Sequence, residues 1–451
     1  MTVLDWKATA ARAAGAASRL SGRGGTSLPG KLLLRLEPRA IARLSAGLGR
    51  TAIISATNGK TTTAAMVAAI LQHGGAKLVH NRAGANMAGG IAGALLEDHG
   101  DTGLFEVDEF WLEQIGAQIE PDALLLANLF RDQLDRYGEL EVIAERWQAY
   151  VNASPGTRLV LNADDPAIAD LGRERPDTLF FGVQDDGVAL ASMQHASDAK
   201  HCRRCGAPYV YDAHYLGHLG RYHCDACGAR RPEPQVVARA VRFDGVRATR
   251  FTLDGIGGEP AEIVLPLPGL YNVYNALGAA ALALALGAAR GEIVAGLETA
   301  APAFGRAETV HMAGRDLSIL LVKNPAGANE VLRTMILEDG QHDVLAVLND
   351  NIADGRDVSW VWDADFELLA PRLRRITCSG TRADELALRM KYAGVAADRI
   401  VVVPELGNAL DAALAAGAQD GARLFALPTY TAMLALREEL VRRGVATSSF
   451  G

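Results

Sequence analysis

The sequence predicts an α/β protein with two successive parallel sheets covered by helices, the first interrupted by a small metal-binding insertion. Three observations predict it. Short apolar strand-like runs alternate with Ala/Leu-rich helical runs through both large parts of the chain. A phosphate-loop pattern, Ala56-Thr57-Asn58-Gly59-Lys60-Thr61-Thr62, stands between one such strand and one such helix. Over residues 198–232 the composition turns abruptly to Cys, His, Arg and Tyr, with two CxxC pairs. The expected organisation is a short N-terminal segment (1–48), a central nucleotide-binding domain (49–310) carrying the insertion, and a smaller Rossmann-like C-terminal domain (311–451). A chain of 451 residues accommodates that many units.

The elements follow in order. Residues 1–48, rich in Ala, Arg and Gly, hold two helix-like segments around SGRGGTSLPG and are too short for an independent domain. TAIISA from Thr51 reads as a buried strand, and TTTAAMVAAILQHGG opens a helix directly after the loop. GLFEVDE, DALLLANLF and TRLVLNADDP read as further strands, and VVARAVRF and FTLDG resume the sheet beyond the insertion. LPGLYNVYNALGAAALALALG is a turn followed by a long buried helix. After a break near PAFGRAETVHMAGRD come LSILLV, DVLAVLN, RRITCSG, RIVVVP and ARLFALP, with Ala/Leu helices between them. No internal repeat is evident.

Composition excludes several classes. A net charge of -8 argues against a nucleic-acid binder that works by bulk electrostatics. The longest apolar run, LGAAALALALGAA from Leu277, is about a dozen residues, short of bilayer length. The N-terminus has no continuous apolar h-region, so no secretory signal is expected. Of five cysteines, four lie in CxxC pairs, which fits a reducing compartment and a metal site. A cytoplasmic protein is expected.

The loop and the cysteines carry the first chemistry. Backbone N–H groups at a helix N-terminus converge on an anion, Lys60 can reach the β/γ-phosphates of a nucleotide, and the Thr61 hydroxyl can ligate Mg²⁺. Ala56 stands where Gly is usual and requires a negative φ there. Cys202, Cys205, Cys224 and Cys227 form two knuckles eighteen residues apart. They can hold a structural Zn²⁺ that leaves no open coordination position for catalysis. His201, His214, His218 and His223 then read as surface or packing residues. Arg203, Arg204, Arg221, Arg230 and Arg231 make this lobe locally basic, which keeps a nucleic-acid-binding ribbon among the readings.

SATNGKTTTA resembles the ATP-binding loop of the Mur ligase superfamily, which also includes folylpolyglutamate synthase. The resemblance implies ATP as cosubstrate, with Thr57, Asn58, Gly59, Lys60, Thr61 and Thr62 at the nucleotide. FEVDE resembles the strand end whose glutamate binds Mg²⁺, here Glu106. NLFRDQLDRYGE resembles a DHLDRYG-type segment, but Gln133 replaces the His that helps hold a second metal, so a second Mg²⁺ site stays open. YNVYNALGAA resembles the HNxxNxxAA segment and implies Asn275 beside the adenine. FGRAE resembles the (P)GRxE element and implies Arg306 at the nucleotide from the domain junction.

The peptide-stem ligases of that superfamily carry an N-terminal domain for the UDP part of their substrate; about fifty residues precede the loop here. A short N-terminus, a Cys₄ insertion and the segments RGGTSLPG, HNRAGANMAGG, KNPAG, ADGRDVSW, SGTRADELALR and PTYTAML resemble the synthetase subunits of lipid II isoglutaminyl synthase. That resemblance implies ATP-dependent amidation of the α-carboxylate of D-glutamate in the lipid II stem peptide, through an acyl phosphate. The product is D-isoglutamine, made at the inner face of the membrane. It also implies a GatD-like glutamine amidotransferase partner that supplies ammonia in a heterodimer. The one cysteine outside the ribbon, Cys378 in ITCSG, lacks the Gly-x-Cys-x-Gly turn of a glutaminase and reads as a buried core residue.

In that family the synthetase supplies an aspartate to the partner's Cys–His pair. The resemblance maps it to Asp357 in the acid stretch LNDNIADGRDVSWVWDADFE, with Asp354 as a rival. Asp350, Asp363, Asp365 and Glu367 are expected to cap helices or face solvent, and Trp360 and Trp362, at strand-like spacing, to share one face. Lys323 and Asn324 in KNPAG are expected on the substrate side. Catalytic roles thus fall to Lys60, Glu106 and Asp357. Two other readings stand beside this one: a Mur or folate-type ligase that adds an amino acid, and a nucleotide-dependent nucleic-acid-binding ribbon protein.

Overall fold

The computed structural model describes residues 3–20, 27–82, 84–132, 139–194, 197–301, 308–416 and 423–446. Gln133 and Arg306 lie outside the described residues. Three helices open the chain, α1 (Val3–Leu20), α2 (Leu28–Leu36) and α3 (Ala40–Ser45). The first sheet then begins with β1 (Arg50–Ser55), α4 (Lys60–His73), β2 (Leu78–His80), α5 (Ala88–Glu97), β3 (Thr102–Glu106), α6 (Leu112–Ile119) and β4 (Ala123–Leu126). It continues through α7 (Leu140–Ala153), β5 (Arg158–Asn162), α8 (Pro166–Leu171) and β6 (Leu179–Val183). The insertion supplies a separate hairpin, β7 (Val210–Leu216) and β8 (Leu219–His223), after which come β9 (Val236–Asp244), β10 (Ala248–Asp254), β11 (Ala261–Leu265), α9 (Leu270–Ala285) and α10 (Arg290–Glu298).

The strand order is β11-β10-β9-β6-β5-β4-β1-β3-β2. From β2 to β9 every pairing is parallel, and β9-β10-β11 adds an antiparallel edge. The edge follows from connection length, because residues 245–247 are too few for the crossover a parallel pair needs. β3 and β4 are buried at every position, as strands covered on both faces must be, whereas β11 alternates buried and exposed. One face packs under α4, α9 and α10 around Met66, Ile70, Leu277 and Ile293. The other packs under α5, α6, α7 and α8 around Ile91, Ile115, Trp147 and Ile168. The long apolar run of the sequence is α9, buried along nearly its whole length.

The N-terminal helices share a small cluster of Ala8, Ala11, Leu33 and Ala40 that closes on Leu96 of α5. A side chain at Gly30 of α2 would put its Cβ 1.9 Å from the Gly89 carbonyl oxygen, so α2 and α5 touch backbone to backbone. Arg12 of α1 donates to the Leu96 carbonyl at the end of α5.

The second sheet has the order β12-β13-β17-β14-β15-β16. Its strands are β12 (Glu308–Met312), β13 (Arg315–Ile319), β14 (His342–Val347), β15 (Leu373–Ser379), β16 (Ile400–Val402) and β17 (Leu424–Pro428). Its helices are α11 (Pro325–Met335), α12 (Ala383–Tyr392), α13 (Leu406–Ala415) and α14 (Tyr430–Arg442). Again an antiparallel edge extends a parallel core. Ala313 and Gly314, both at positive φ, make the two-residue turn between β12 and β13. The expected domain boundary at 310/311 falls inside β12. α11 and α12 cover one face, and α13 and α14 the other. The chain runs from β14 outward to β15 and β16, then returns to β17 on β14's other side. The carboxyl ends of β14 and β17 are therefore a topological switch point, and the acid stretch begins there.

Candidate active site and metal centre

β1 delivers the phosphate loop and α4 carries it away. Gly59 sits at φ +84°, and a Cβ there would meet Asn275 Oδ1 at 2.0 Å, so this position admits only glycine. Ala56 is buried and is not among the residues at positive φ, which resolves its departure from the usual glycine. The loop is braced from β4's end. Asn128 accepts from the Asn58 N–H (2.9 Å) and donates to the Asn58 carbonyl (3.0 Å), while the Thr57 hydroxyl bonds both backbone groups of Phe130.

Lys60 is buried, with its ammonium donating to the Ala56 carbonyl and, at 2.8 Å, to Glu109 Oε2. Burial alone would favour the neutral amine, but Glu109, Asp108 and Glu106 outweigh it and raise the Lys60 pKa. Burial likewise opposes charge on Glu109, yet Lys60 and Lys323 hold its carboxyl below the usual range. Glu106 closes the set at the end of β3. Asn86 donates to its Oε1 at 3.1 Å, and its buried Oε2 has no hydrogen-bond partner. A buried carboxylate oxygen left unpaired is costly, and a Mg²⁺ ion would satisfy it; hard oxygen donors such as this carboxylate and a threonine hydroxyl fit that ion.

The KNPAG segment reaches this loop from the second sheet. Asn324 caps α11 by accepting from Gly327 N–H (2.8 Å), and its amide donates to Asn58 Oδ1 (3.0 Å). Lys323 bonds Asp132 and, at 3.3 Å, the Thr57 carbonyl. Lys323 and Asn324 therefore touch the phosphate loop itself. Asn275 is buried against Gly59, accepting from the Thr63 hydroxyl and donating to Asn272. Beside these contacts lies an apolar cavity between α9, α11 and the hairpin tip, with Asn58 and Gly59 at its rim.

In the insertion the four cysteine sulfurs lie within 4.8 Å of one another, and none is in a disulfide. Four thiolates at ~2.3 Å from one zinc stand about 3.8 Å apart; the Cys202–Cys227 and Cys205–Cys224 sulfurs are 3.6 and 3.5 Å apart. Gly206 and Gly228, each just past a knuckle, take the left-handed conformation that turns the chain back. The donor set fits Zn²⁺. Most of the lobe's basic character is spent internally: Arg204 pairs Asp170, Arg221 pairs Asp186, Arg231 pairs Asp164, and Arg203 donates to the Ala167 carbonyl, while Arg230 is exposed. That weakens the support for a nucleic-acid surface. His201 is exposed and His214 half-buried, but His218 is fully buried 3.3 Å from Asp165, which raises its pKa against the opposing effect of burial.

The acid stretch separates its carboxylates by burial. Asp354 is 5% exposed and accepts from the Thr431 N–H (2.7 Å) and hydroxyl at the start of α14, so it fills the switch-point crevice with its own charge. Asp357 is exposed; Ser359 donates to it (2.8 Å), and these bonds hold its carboxyl below the usual range. Asp350 binds Thr381 and Arg382, Asp363 lies 3.4 Å from Arg131, Asp365 bonds Asn329, and Glu367 pairs Arg389. The expectation that Trp360 and Trp362 share a strand face is corrected. Residues 359–362 form a 3₁₀ turn in which Val361 is buried and Trp362 is half-exposed, edge-on to Tyr392. Cys378 lies buried in β15, and burial pushes its thiol up to about 12.

Residues 54–217 match the Mur ligase middle domain, and residues 321–433 match the family described as MurT ligase C-terminal. Over 436 residues the chain is 33% identical to the lipid II isoglutaminyl synthase (glutamine-hydrolyzing) subunit MurT of Streptococcus pneumoniae, covering 95% of this chain and 94% of that protein. The chain belongs to the MurT family. Its fold is shared with more distant ligases. A pseudomurein peptide ligase type C from Methanothermus fervidus superposes with a TM-score of 0.71 at 23% identity, covering 87% of this chain and 79% of that one. MurF ligase from Thermotoga maritima in complex with ADP gives 0.62 at 16%, covering 92% and 85%.

The MurT-type match runs from KNPAG through the acid stretch to α14, and the middle-domain match takes in the phosphate loop, Glu106 and the first zinc knuckle. The sequence reading missed Glu109, Asn128 and Asp132. FEVDE offered three carboxylates, but only the fold turns the last one onto Lys60. Among the described residues no helix is long and apolar enough to cross a membrane.

Proposed function

We propose that this chain is the ATP-dependent half of a glutamine-driven amidating ligase. It activates the α-carboxylate of D-glutamate in the lipid II stem peptide and hands the acyl phosphate to ammonia from a GatD-like glutaminase subunit. One observation carries the reading. A braced phosphate loop with its lysine stands in a MurT-family chain whose one cysteine outside the cluster is a buried thiol pushed up to about 12. A buried thiol of this kind is inert, which supports a source of ammonia outside this chain.

A carboxylate oxygen attacks the γ-phosphorus of ATP, the bond to the β-phosphate oxygen breaks, and ADP leaves. The triphosphate draws the Lys60 ammonium away from Glu109 and onto the phosphates, where positive charge is needed as the bond breaks. Glu106, whose buried Oε2 has no hydrogen-bond partner, and Thr61 would hold a Mg²⁺ ion, which when bound would supply further charge neutralisation. Ammonia then attacks the acyl carbon, phosphate departs with the bonding pair, and nitrogen sheds a proton to give the amide. An acyl phosphate is lost if water reaches it. The Asn58–Asn324 and Lys323–Asp132 contacts support this shielding, because they hold the second sheet against the loop.

Asp357 fits the role of orienting a partner's imidazole, being exposed and anionic, whereas Asp354 is committed to α14. The half-exposed Trp362 beside the exposed Tyr392 offers aromatic surface of the kind that anchors partners. A heterodimer working at the cytoplasmic face of the membrane follows from this reading. The test combines the purified chain with such a glutaminase, lipid II, ATP and glutamine, and follows product mass. Amidated lipid II that needs both ATP and the partner is expected, with ammonium replacing glutamine when the partner is left out. Transfer of an amino acid in place of ammonia would overturn the reading.

A further inference from the structure

Among the histidines of the insertion only His218 is fully buried, and the four cysteines complete the metal set without it. β7 and β8 carry the chain away from the cysteines to a two-residue turn, Gly217-His218. Gly217 has φ +56°, and a Cβ there would lie 2.9 Å from Phe130 Cε1, so the turn presses against Phe130. The turn is itself held in place. Gln194 accepts from the Gly217 N–H (2.5 Å), and the Tyr211 hydroxyl donates to the His218 carbonyl (2.9 Å).

The segment under this turn, Leu129–Arg131, is the one that braces the phosphate loop, through the bonds between Phe130 and Thr57. Asp165 accepts from the Leu129 N–H through Oδ2 (2.9 Å), while its Oδ1 caps α8. His218 Nε2 stands 3.3 Å from that same Oδ2, and its ring lies 4.6 Å from the Phe130 ring. On the other side, Asp198 accepts from the Arg131 N–H (2.9 Å) and pairs with its guanidinium. The insertion therefore grips the segment at two points, His218 on Phe130 and Asp198 on Arg131. Packing alone does not call for histidine here, because an apolar side chain would fill the space as well. Burial disfavours charge on the imidazole, but Asp165 and Asp198 outweigh it and raise its pKa. A proton on the ring offsets carboxylates that the fold has covered.

We propose that His218 is a positioning residue of the phosphate loop: seated between Phe130 and Asp165, it fixes the segment from which Phe130 braces Thr57, and so sets the affinity for the nucleotide. The inference rests on the ATP-dependent reading and gives the insertion a part in it that its cysteines do not play.

The test is hydrogen exchange and calorimetric ATP binding on the full chain, for the wild type, His218→Phe and His218→Gln. His218→Phe keeps a ring on Phe130 and removes the donor to Asp165. It should speed exchange at the Thr57, Asn58 and Phe130 amides and weaken ATP, each by about tenfold. His218→Gln, which can still donate to Asp165, should stay within about threefold of the wild type in both readouts. A His218→Phe protein that loses protection only in β7 and β8 and binds ATP like the wild type overturns the proposal, since His218 then merely packs the hairpin. Equal losses in the two variants overturn it as well. The wild type gives a measurement that stands even if a variant fails to fold. Coupling is reciprocal, so ATP should slow exchange at Gly217–Gly220 by about threefold or more. ATP that protects the loop and leaves those amides unchanged overturns the proposal. A wild type that binds no ATP would instead overturn the ligase reading, and this inference with it.

Discussion

The phosphate loop and the acid stretch are two carboxylate-bearing sites built in opposite ways. Around the loop, Lys60 and Glu106 are buried and Glu109 is largely covered, and the backbone is held from β4 by Asn128 and Thr57 and from the second sheet by Asn324. In the acid stretch the buried carboxylate, Asp354, serves α14, and the exposed Asp357 accepts from Ser359. A site that does its chemistry within one chain is enclosed by that chain. On the proposed reading Asp357 serves another chain's site, and it stays at the surface.

The sharpest way to break this contrast is to remove charge from the enclosed site. Lys60→Ala should lower amidation by at least about 10²–10³-fold with glutamine and with ammonium alike, because the phosphoryl step precedes both. A variant that kept ammonium-driven activity would place the chemistry elsewhere. Zinc removal acts next, on the lobe whose hairpin tip walls the cavity beside the phosphate loop. Chelation should release one Zn²⁺ per chain and abolish hydrogen-exchange protection at the two knuckles, where Cys202, Cys224 and Ala229 form only a small core, while the hairpin tip stays packed in the main core. Protection that survived chelation would mean the metal is not structural. A smaller effect distinguishes the two aspartates. Asp354→Asn should cost about 1–3 kcal/mol in urea unfolding, because a buried acceptor of two hydrogen bonds loses its charge. Asp357→Asn should stay within about 0.5 kcal/mol of the parent protein.

These two regions also differ in how far they could be read from sequence. The strand-loop-helix of the phosphate site is local, so TAIISATNGKTTTA carried both its geometry and its chemistry. The cysteine spacing was equally local. Glu109, Asn128 and Asp132 reach the site only through tertiary contacts, and no spacing in the chain announces them. Three-residue β2 is too short to show a period, and β12 lay inside what read as a break. In SWVW the alternation of large and small apolar residues imitates a strand, yet four residues cannot separate period two from the tighter 3₁₀ turn. The choice between Asp354 and Asp357 could not be made from DGRD, where both flank the same turn. Burial separates the two and supports the proposed choice of Asp357, because Asp354 is held by Thr431, seventy-seven positions away in sequence but in contact in the fold.

The central claim is that this chain activates the carboxylate itself but depends on another subunit for ammonia, with Asp357 reaching across to that subunit. The most direct measurement is the ratio of glutamine-driven to ammonium-driven amidation for Asp357→Asn in the assembled complex. The account predicts that glutamine-driven turnover collapses while ammonium-driven turnover remains near the parent value. Equal loss of both would place Asp357 in the ligase site or in the fold, and would contradict it.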